Sequence, residues 1–279
     1  MTQIIAFQGR PGAYSDLACR TARPGWETLP CPSFQAAIDA VREGRATLGM
    51  LACENSLAGR VPEIHALLPE AGLPIIGEHF QRVEHCLLGL PGTRIEDLRR
   101  IHTHPVALGQ IRDLIRELGV EACSAFDTAG AAEMVVQWQS CEDGAIASSL
   151  AAELNGLEIL RANVEDAAHN TTRFYLVARE AVWPSAEAER VMTTLVFRVL
   201  NRPGALYQAL GGFAENGVNM TRLESYMSPG TLTATGFLLD VEGHPEQDSL
   251  KQALSVLREC SENIAILGVY PASPSRYPE

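Results

Sequence analysis

The chain has 279 residues, 46% of them apolar, and a formal net charge of −12. That length suits one large or two ordinary domains with a substantial core, and the acidic balance argues against nucleic-acid binding through a broad basic face. No apolar run approaches the roughly 20 residues that span a bilayer, no basic leader opens the chain, and seven scattered cysteines include no Cys-x-x-Cys pair, so no signal peptide, membrane span, disulfide or zinc is expected and the thiols fit a reducing cytoplasm.

Gln3 to Phe7 predicts a short strand, followed by the turn Gln8-Gly9-Arg10-Pro11-Gly12-Ala13-Tyr14-Ser15. The turn spells neither Gly-x-Gly-x-x-Gly nor a Gly-Lys-Ser/Thr loop, which removes dinucleotide and nucleoside-triphosphate sites. Ser33 caps a helix with Phe34, Ala37, Ile38 and Val41 inward, ending at Gly44. Thr47 to Ala52 is the next strand, and Leu73 to Ile76 and Cys86 to Leu90 are two more. Pro105 opens a helix that buries Leu108, Ile111, Ile115 and Leu118 and runs to Gly119. Asp127 caps a helix through Trp138, Gly144 to Ala147 is a buried strand, and Ser148 opens another helix. This alternation predicts α/β layers with mostly parallel strands.

Residues 179–190 lack an apolar period and read as a linker. Beyond them come a strand at Thr193 to Val199, a helix at Pro203 to Asn216 with Gly217 as a left-handed cap, and a strand at Val218 to Met227. A turn at Ser228-Pro229-Gly230, a strand at Leu232 to Val241, a helix at Pro245 to Cys260 and a strand at Ile264 to Tyr270 complete the set. The order is βαββαβ, a split-βαβ sandwich of one antiparallel sheet and two helices.

Four polar clusters stand at strand ends, where open α/β sheets bind ligands. Glu54-Asn55-Ser56-Leu57-Ala58-Gly59 is either a capped turn or a ligand grip. His102-Thr103-His104-Pro105 offers two imidazoles, too few for a metal without a third ligand; one of them caps the helix in the alternative reading. A helix extended back to Thr103 would set Thr103 and Gln110 on one face, about two turns apart. Asp127-Thr128-Ala129-Gly130 is small and opens a helix, which serves an anion at its N–H groups or close helix–sheet packing equally well. His169-Asn170-Thr171-Thr172-Arg173-Phe174 puts an amide, two hydroxyls and a guanidinium at the start of a buried strand.

In this order, Phe7–Ser15, Glu54–Pro62, Thr103–Gln110, Asp127–Ala132 and Asn170–Phe174 resemble the motifs of prephenate dehydratases, over about residues 3–178. Leu157 to Asp166 leading into Asn-Thr-Thr-Arg-Phe is especially similar. The C-terminal part resembles an ACT regulatory domain, through Pro203-Gly204-Ala205-Leu206 and Leu223-Glu224-Ser225. The resemblance implies a two-lobed, periplasmic-binding-protein-like catalytic domain (1–178), discontinuous because the strand near Phe174 returns to the first lobe. A linker (179–190) and a ferredoxin-like ACT domain (191–279) follow.

The implied reaction takes prephenate to phenylpyruvate, water and carbon dioxide, without metal or cofactor, because aromatisation supplies the drive. By match to the motifs, Thr172, Asn55, Thr103 and Gln110 are catalytic and Glu54 is a candidate proton source, because a threonine hydroxyl is a poor acid at neutral pH. Ser56, Thr128, Ala129, Arg173 and Phe174 are candidates to hold substrate, with Arg173 either a carboxylate clamp or a structural tie. Gly204, Ala205, Leu206, Asn219, Leu223, Glu224 and Ser225 are candidates to bind L-phenylalanine between paired ACT domains of a homodimer or homotetramer. Thr103 replaces a common serine, Val106 a common glutamine, Ala13 a frequent threonine, and Tyr226-Met227 an Arg-Pro pair. Arogenate is an alternative substrate, and a binding protein or sensor without turnover is the alternative class.

Overall fold

The computed structural model describes residues 3–227 and 236–277. The expected turn at 228–230 and the first residues of the strand expected from 232 lie outside the described residues. The chain divides into two compact units: Met1–Ala37, Met50–Arg60 and Phe80–Phe174 form one, and Ile38–Gly49, Val61–His79 and Tyr175–Glu279 the other. Strands Leu48–Asn55, Ile75–Arg82 and Thr171–Val177 contribute residues to both. Among the described residues no helix is long and apolar enough to cross a membrane.

In the first unit, Ile4–Gln8 pairs in parallel with Glu27–Cys31, and Leu48–Asn55 lies between Ile4–Gln8 and Thr171–Val177. The strand that follows Asn170 thus returns to the sheet of the first strand. A separate five-stranded sheet has the order Glu158–Arg161, Cys86–Gly89, Asp143–Ala147, Arg100–Thr103, Glu121–Ser124. Its last two pairings are parallel, whereas Cys86–Gly89 is antiparallel to both neighbours. This sheet is therefore more mixed than the alternation of elements suggested.

Side-chain caps fix three helix starts. Ser33 Oγ accepts from the Ala36 N–H at 3.1 Å, Asp127 Oδ1 from Gly130 at 2.6 Å, and Ser148 Oγ from Ala151 at 3.0 Å. Each relieves one of the donors a helix start leaves unpaired. Ser148 also donates to the Gly12 carbonyl at 2.6 Å. A Cβ on Gly12, at φ +85°, would lie 2.9 Å from the Ala151 backbone, so only glycine fits this turn.

The helix expected from Pro105 to Gly119 is broken. It forms as Pro105–Leu108 and Arg112–Leu118, with Gln110 in the gap and Thr103 ending a strand. The physical reason is the Asp166 carboxylate, which accepts from the Arg112 and Asp113 N–H groups at 2.8 and 3.2 Å and starts a second helix there.

In the second unit the elements Val191–Val199, Ala205–Glu215, Met220–Tyr226, Gly236–Glu242, Asp248–Cys260 and Ser261–Pro271 give the expected βαββαβ order. The strands lie in spatial order 2-3-1-4 with antiparallel pairing. Leu195, Phe197 and Val199 on one strand face Phe213, Leu254 and Leu257 of the two helices in one apolar core, the period-two placement of a one-sided sheet. The other face carries buried polar groups. Tyr175 donates to both Asp240 carboxylate oxygens at 3.0 Å, Thr194 donates to Oδ1 at 2.6 Å, and Arg222 donates to the Tyr175 hydroxyl at 3.0 Å. Arg222 also contacts His65.

Candidate active site

Asn55, Gln110, Asn170 and Thr172 come together in the first unit, and donor–acceptor chemistry fixes the direction of every bond between them. The N–H groups of Leu57 and Ala58 donate to Asn55 Oδ1 at 3.0 and 2.8 Å. The amide orientation is therefore set by the backbone, and Asn55 Nδ2 must face acceptors. It reaches Asn170 Oδ1 at 2.8 Å, Thr172 Oγ1 at 3.0 Å and the Thr171 carbonyl at 3.3 Å. Asn170, its oxygen occupied, turns Nδ2 to Gln110 Oε1 at 3.1 Å.

Gln110 Oε1 also meets His85 Nε2 at 2.9 Å. Two acceptors do not bond, so His85 carries a proton on Nε2; its Nδ1 lies 2.7 Å from the Tyr14 hydroxyl, whose single proton is also within reach of the Glu84 carbonyl at 2.9 Å. Burial pushes the His85 pKa below its ordinary value, against the opposing pull of the Gln110 bond and Glu165. Burial thus favours the neutral ring. Two donors are left over: the Thr172 proton, because its oxygen accepts from Asn55, and the Gln110 Nε2 group. Gln110 lines a 260 Å3 cavity with Leu57, Ala58, Val106, Gly109, Asp166 and Ala167.

Because the His85 pKa is depressed when folded, falling pH protonates the unfolded chain first, and stability is lost as pH drops below 6.5. The melting-temperature advantage of wild type over His85→Gln should shrink between about pH 7.5 and 5. A constant gap in calorimetry would rule out this linkage.

The other candidates are placed as follows. Ser56 Oγ donates to the His169 carbonyl at 2.9 Å and accepts from the Thr171 N–H at 3.0 Å, which pins the motif's start. Glu54 and Arg173 pair at 2.9 Å, with the Arg173 side chain 3% exposed and its guanidinium 5.9 Å from the Phe80 ring centre. This geometry favours an internal tie for Arg173 and engages the Glu54 carboxylate. Thr103 is fully buried and donates to the Ile146 carbonyl at 2.7 Å, so its proton is already used. Phe174 and Ala129 belong to the buried interior, while Thr128 is the first residue of its helix.

His102 is held by Asp143 at 2.8 Å, and His104 Nδ1 accepts from the Val106 N–H at 3.2 Å as the helix cap. The Arg100 guanidinium grips Asp143 and holds its carboxyl well below the usual range. A larger, 620 Å3 cavity is lined by Gln8 to Pro11, Tyr14, Ser15, Pro30 to Pro32, Phe126 and Asp127. Arg10 at its edge is paired to Asp127 and Glu133 at 3.2 and 2.8 Å. Sequence reasoning missed His85 and Tyr14. Their only signal was a histidine directly before a buried strand and a tyrosine after a glycine turn.

A family model described as prephenate dehydratase matches residues 5–182. The bifunctional N-acyl-homoserine lactone acylase/prephenate dehydratase of Komagataeibacter europaeus is 68% identical over 274 residues, 98% of this chain and 98% of that protein. Arogenate dehydratase/prephenate dehydratase 1, a chloroplastic protein of Arabidopsis thaliana, is 37% identical over 281 residues, 96% of this chain and 71% of the relative. The crystal structure of a prephenate dehydratase from Arthrobacter aurescens in complex with L-Phe matches with a TM-score of 0.88 at 29% identity, over 99% of this chain and 92% of that one.

Proposed function

Because the chain belongs to the prephenate dehydratase family, we propose that it converts prephenate to phenylpyruvate, water and carbon dioxide in the cytoplasm. The observation that carries this reading is the backbone-fixed amide of Asn55, which donates to Thr172 Oγ1 and leaves the threonine's own proton available to donate. In the reaction the electron pair of the ring–carboxylate bond becomes ring π density as the carbon–hydroxyl bond breaks. Thr172 donates a hydrogen bond to the departing hydroxyl, where charge develops and a preorganised donor lowers the barrier most. Gln110 Nε2 donates to a second substrate oxygen. Asn55, Asn170 and His85 keep these two donors oriented, and the departing hydroxide takes its proton from water. Ser56, Glu54 and Arg173 hold the strand that carries Thr172. Thr103 supports the site through its sheet bond.

Residues 1–178 form the catalytic part in this reading, 179–190 the linker and 191–279 an ACT regulatory part that acts in a homodimer or homotetramer. The L-Phe complex of the Arthrobacter relative supports L-phenylalanine as effector here. Gly204 to Leu206, Asn219 and Leu223 to Ser225 are its binding residues; Gly204 is at φ +80°, and Leu223 and Ser225 face solvent. The test is turnover of the purified chain on prephenate and arogenate, with and without L-phenylalanine. No phenylpyruvate from prephenate would end the reading, and equal rates with and without L-phenylalanine would end feedback.

A second reading follows the 68% identical relative: hydrolysis of N-acyl-homoserine lactones to a fatty acid and homoserine lactone. The 620 Å3 cavity with Pro11, Pro30, Pro32 and Phe126 in its wall offers apolar room for an acyl chain. Mass spectrometry of the two products decides it, and intact lactone after prolonged incubation refutes it.

A further inference from the structure

On the sheet face turned away from its helices, the second unit encloses a cavity of 310 Å3. Its floor is Val196, Arg198, Tyr226, Asn263 and Ala265, and its opposite wall includes Ala66 and Glu70. The volume is at the low end of the roughly 300–1,000 Å3 of ligand pockets, which points to an occupant of amino-acid size. Arg198 and Glu70 make no ion pair among the described residues, so the cavity holds an uncompensated cation and an uncompensated anion together with apolar walls. Among the described residues most other arginines lie against a carboxylate, and this one does not.

The wall is built for access. Tyr226 and Arg198 both pair in register with Gly236, from opposite sides. A Cβ at Gly236 would lie 2.6 Å from the Tyr226 ring, so the absent side chain lets the ring lie across the middle strand toward Arg198. Residues 226–227 are also the Tyr-Met that stands in place of an Arg-Pro pair.

We propose that this cavity binds a zwitterionic α-amino acid with an apolar side chain, its carboxylate on Arg198 and its ammonium on Glu70. The site is separate from Gly204 to Leu206, Asn219 and Leu223 to Ser225, and it stands whether or not the dehydratase reading does. Guanidinium matches a carboxylate with two parallel bonds. Val196, Ala265 and Met227 take the side chain. Its wall connects to the motif strand: Ala66 follows His65, His65 contacts Arg222, and Arg222 bonds Tyr175 on the strand of Thr172.

The test is calorimetric titration of the full chain with L-phenylalanine, L-tyrosine and L-methionine. 3-Phenylpropanoate and phenethylamine serve as probes lacking the ammonium or the carboxylate. At least one amino acid should bind, and Arg198→Met should weaken it by about tenfold or more, the loss expected for a charge-assisted bidentate contact. Glu70→Gln should weaken the amino acid but not 3-phenylpropanoate. Glu70 is exposed, so that variant tests the site even if Arg198→Met folds poorly. Amino-acid affinity unchanged in Glu70→Gln and in any folded Arg198→Met protein would assign binding elsewhere and overturn the proposal. So would the absence of binding by every amino acid at about 10 mM, weaker than any useful site. Product formation from prephenate is read separately, so failure of one idea does not conceal failure of the other.

Discussion

Thr172→Ala should lower kcat by about a hundredfold to a thousandfold, the cost of removing one preorganised donor from developing negative charge. KM should move by less than about threefold, because the bond forms fully only as the hydroxyl departs. Thr172→Ser should keep most turnover, since Asn55 Nδ2, 3.0 Å from the threonine oxygen, can orient a serine hydroxyl in the same way. Steady-state kinetics on the three proteins separates these outcomes. Near-normal kcat in Thr172→Ala would remove the residue from the chemistry. A large rise in KM alone would make it a binding group.

The second large effect is on stability. Asp240 is fully buried and accepts from Tyr175 and Thr194, while Arg222, 7% exposed, leans on the same Tyr175 hydroxyl. Asp240→Leu removes the acceptor that Tyr175 and Thr194 share and leaves the arginine's charge without this compensation. Removing one member of a buried ionic cluster costs about 3–5 kcal/mol, so the urea midpoint should fall sharply. Replacing the cluster together, as Asp240→Leu with Arg222→Met and Tyr175→Phe, should restore much of the loss, because apolar packing replaces groups that no longer need partners. A single substitution without effect on the midpoint would show that the cluster is solvated when folded.

Much of the frame was legible because caps and glycines act locally. Ser33, Asp127 and Ser148 announce their helices by chemistry confined to three residues, and Gly217 sits at φ +66° where its helix ends. The βαββαβ order was equally plain from apolar period alone. What failed depended on distant chain. Nothing near Gln110 says that Asp166, far along the sequence, will restart the helix after it. Nothing near His85 says that Tyr14 and Gln110 will bracket its ring. The motif residues Asn55 and Thr172 could be picked out singly, but the direction of the hydrogen bond between them depends on Leu57 and Ala58 backbone groups and exists only in the folded loop.

The arrangement hangs on the chemical survival of one side-chain amide. Hydrolysis of the Asn55 amide to a carboxylate preserves shape and both backbone contacts, yet replaces a donor by an acceptor opposite Thr172. The threonine proton would then turn inward, and the catalyst would be silenced without unfolding. The Ser56 nitrogen, whose attack on the side chain starts such spontaneous conversion, is tied to the Thr171 carbonyl at 2.9 Å. The same bond that anchors the motif also guards its durability.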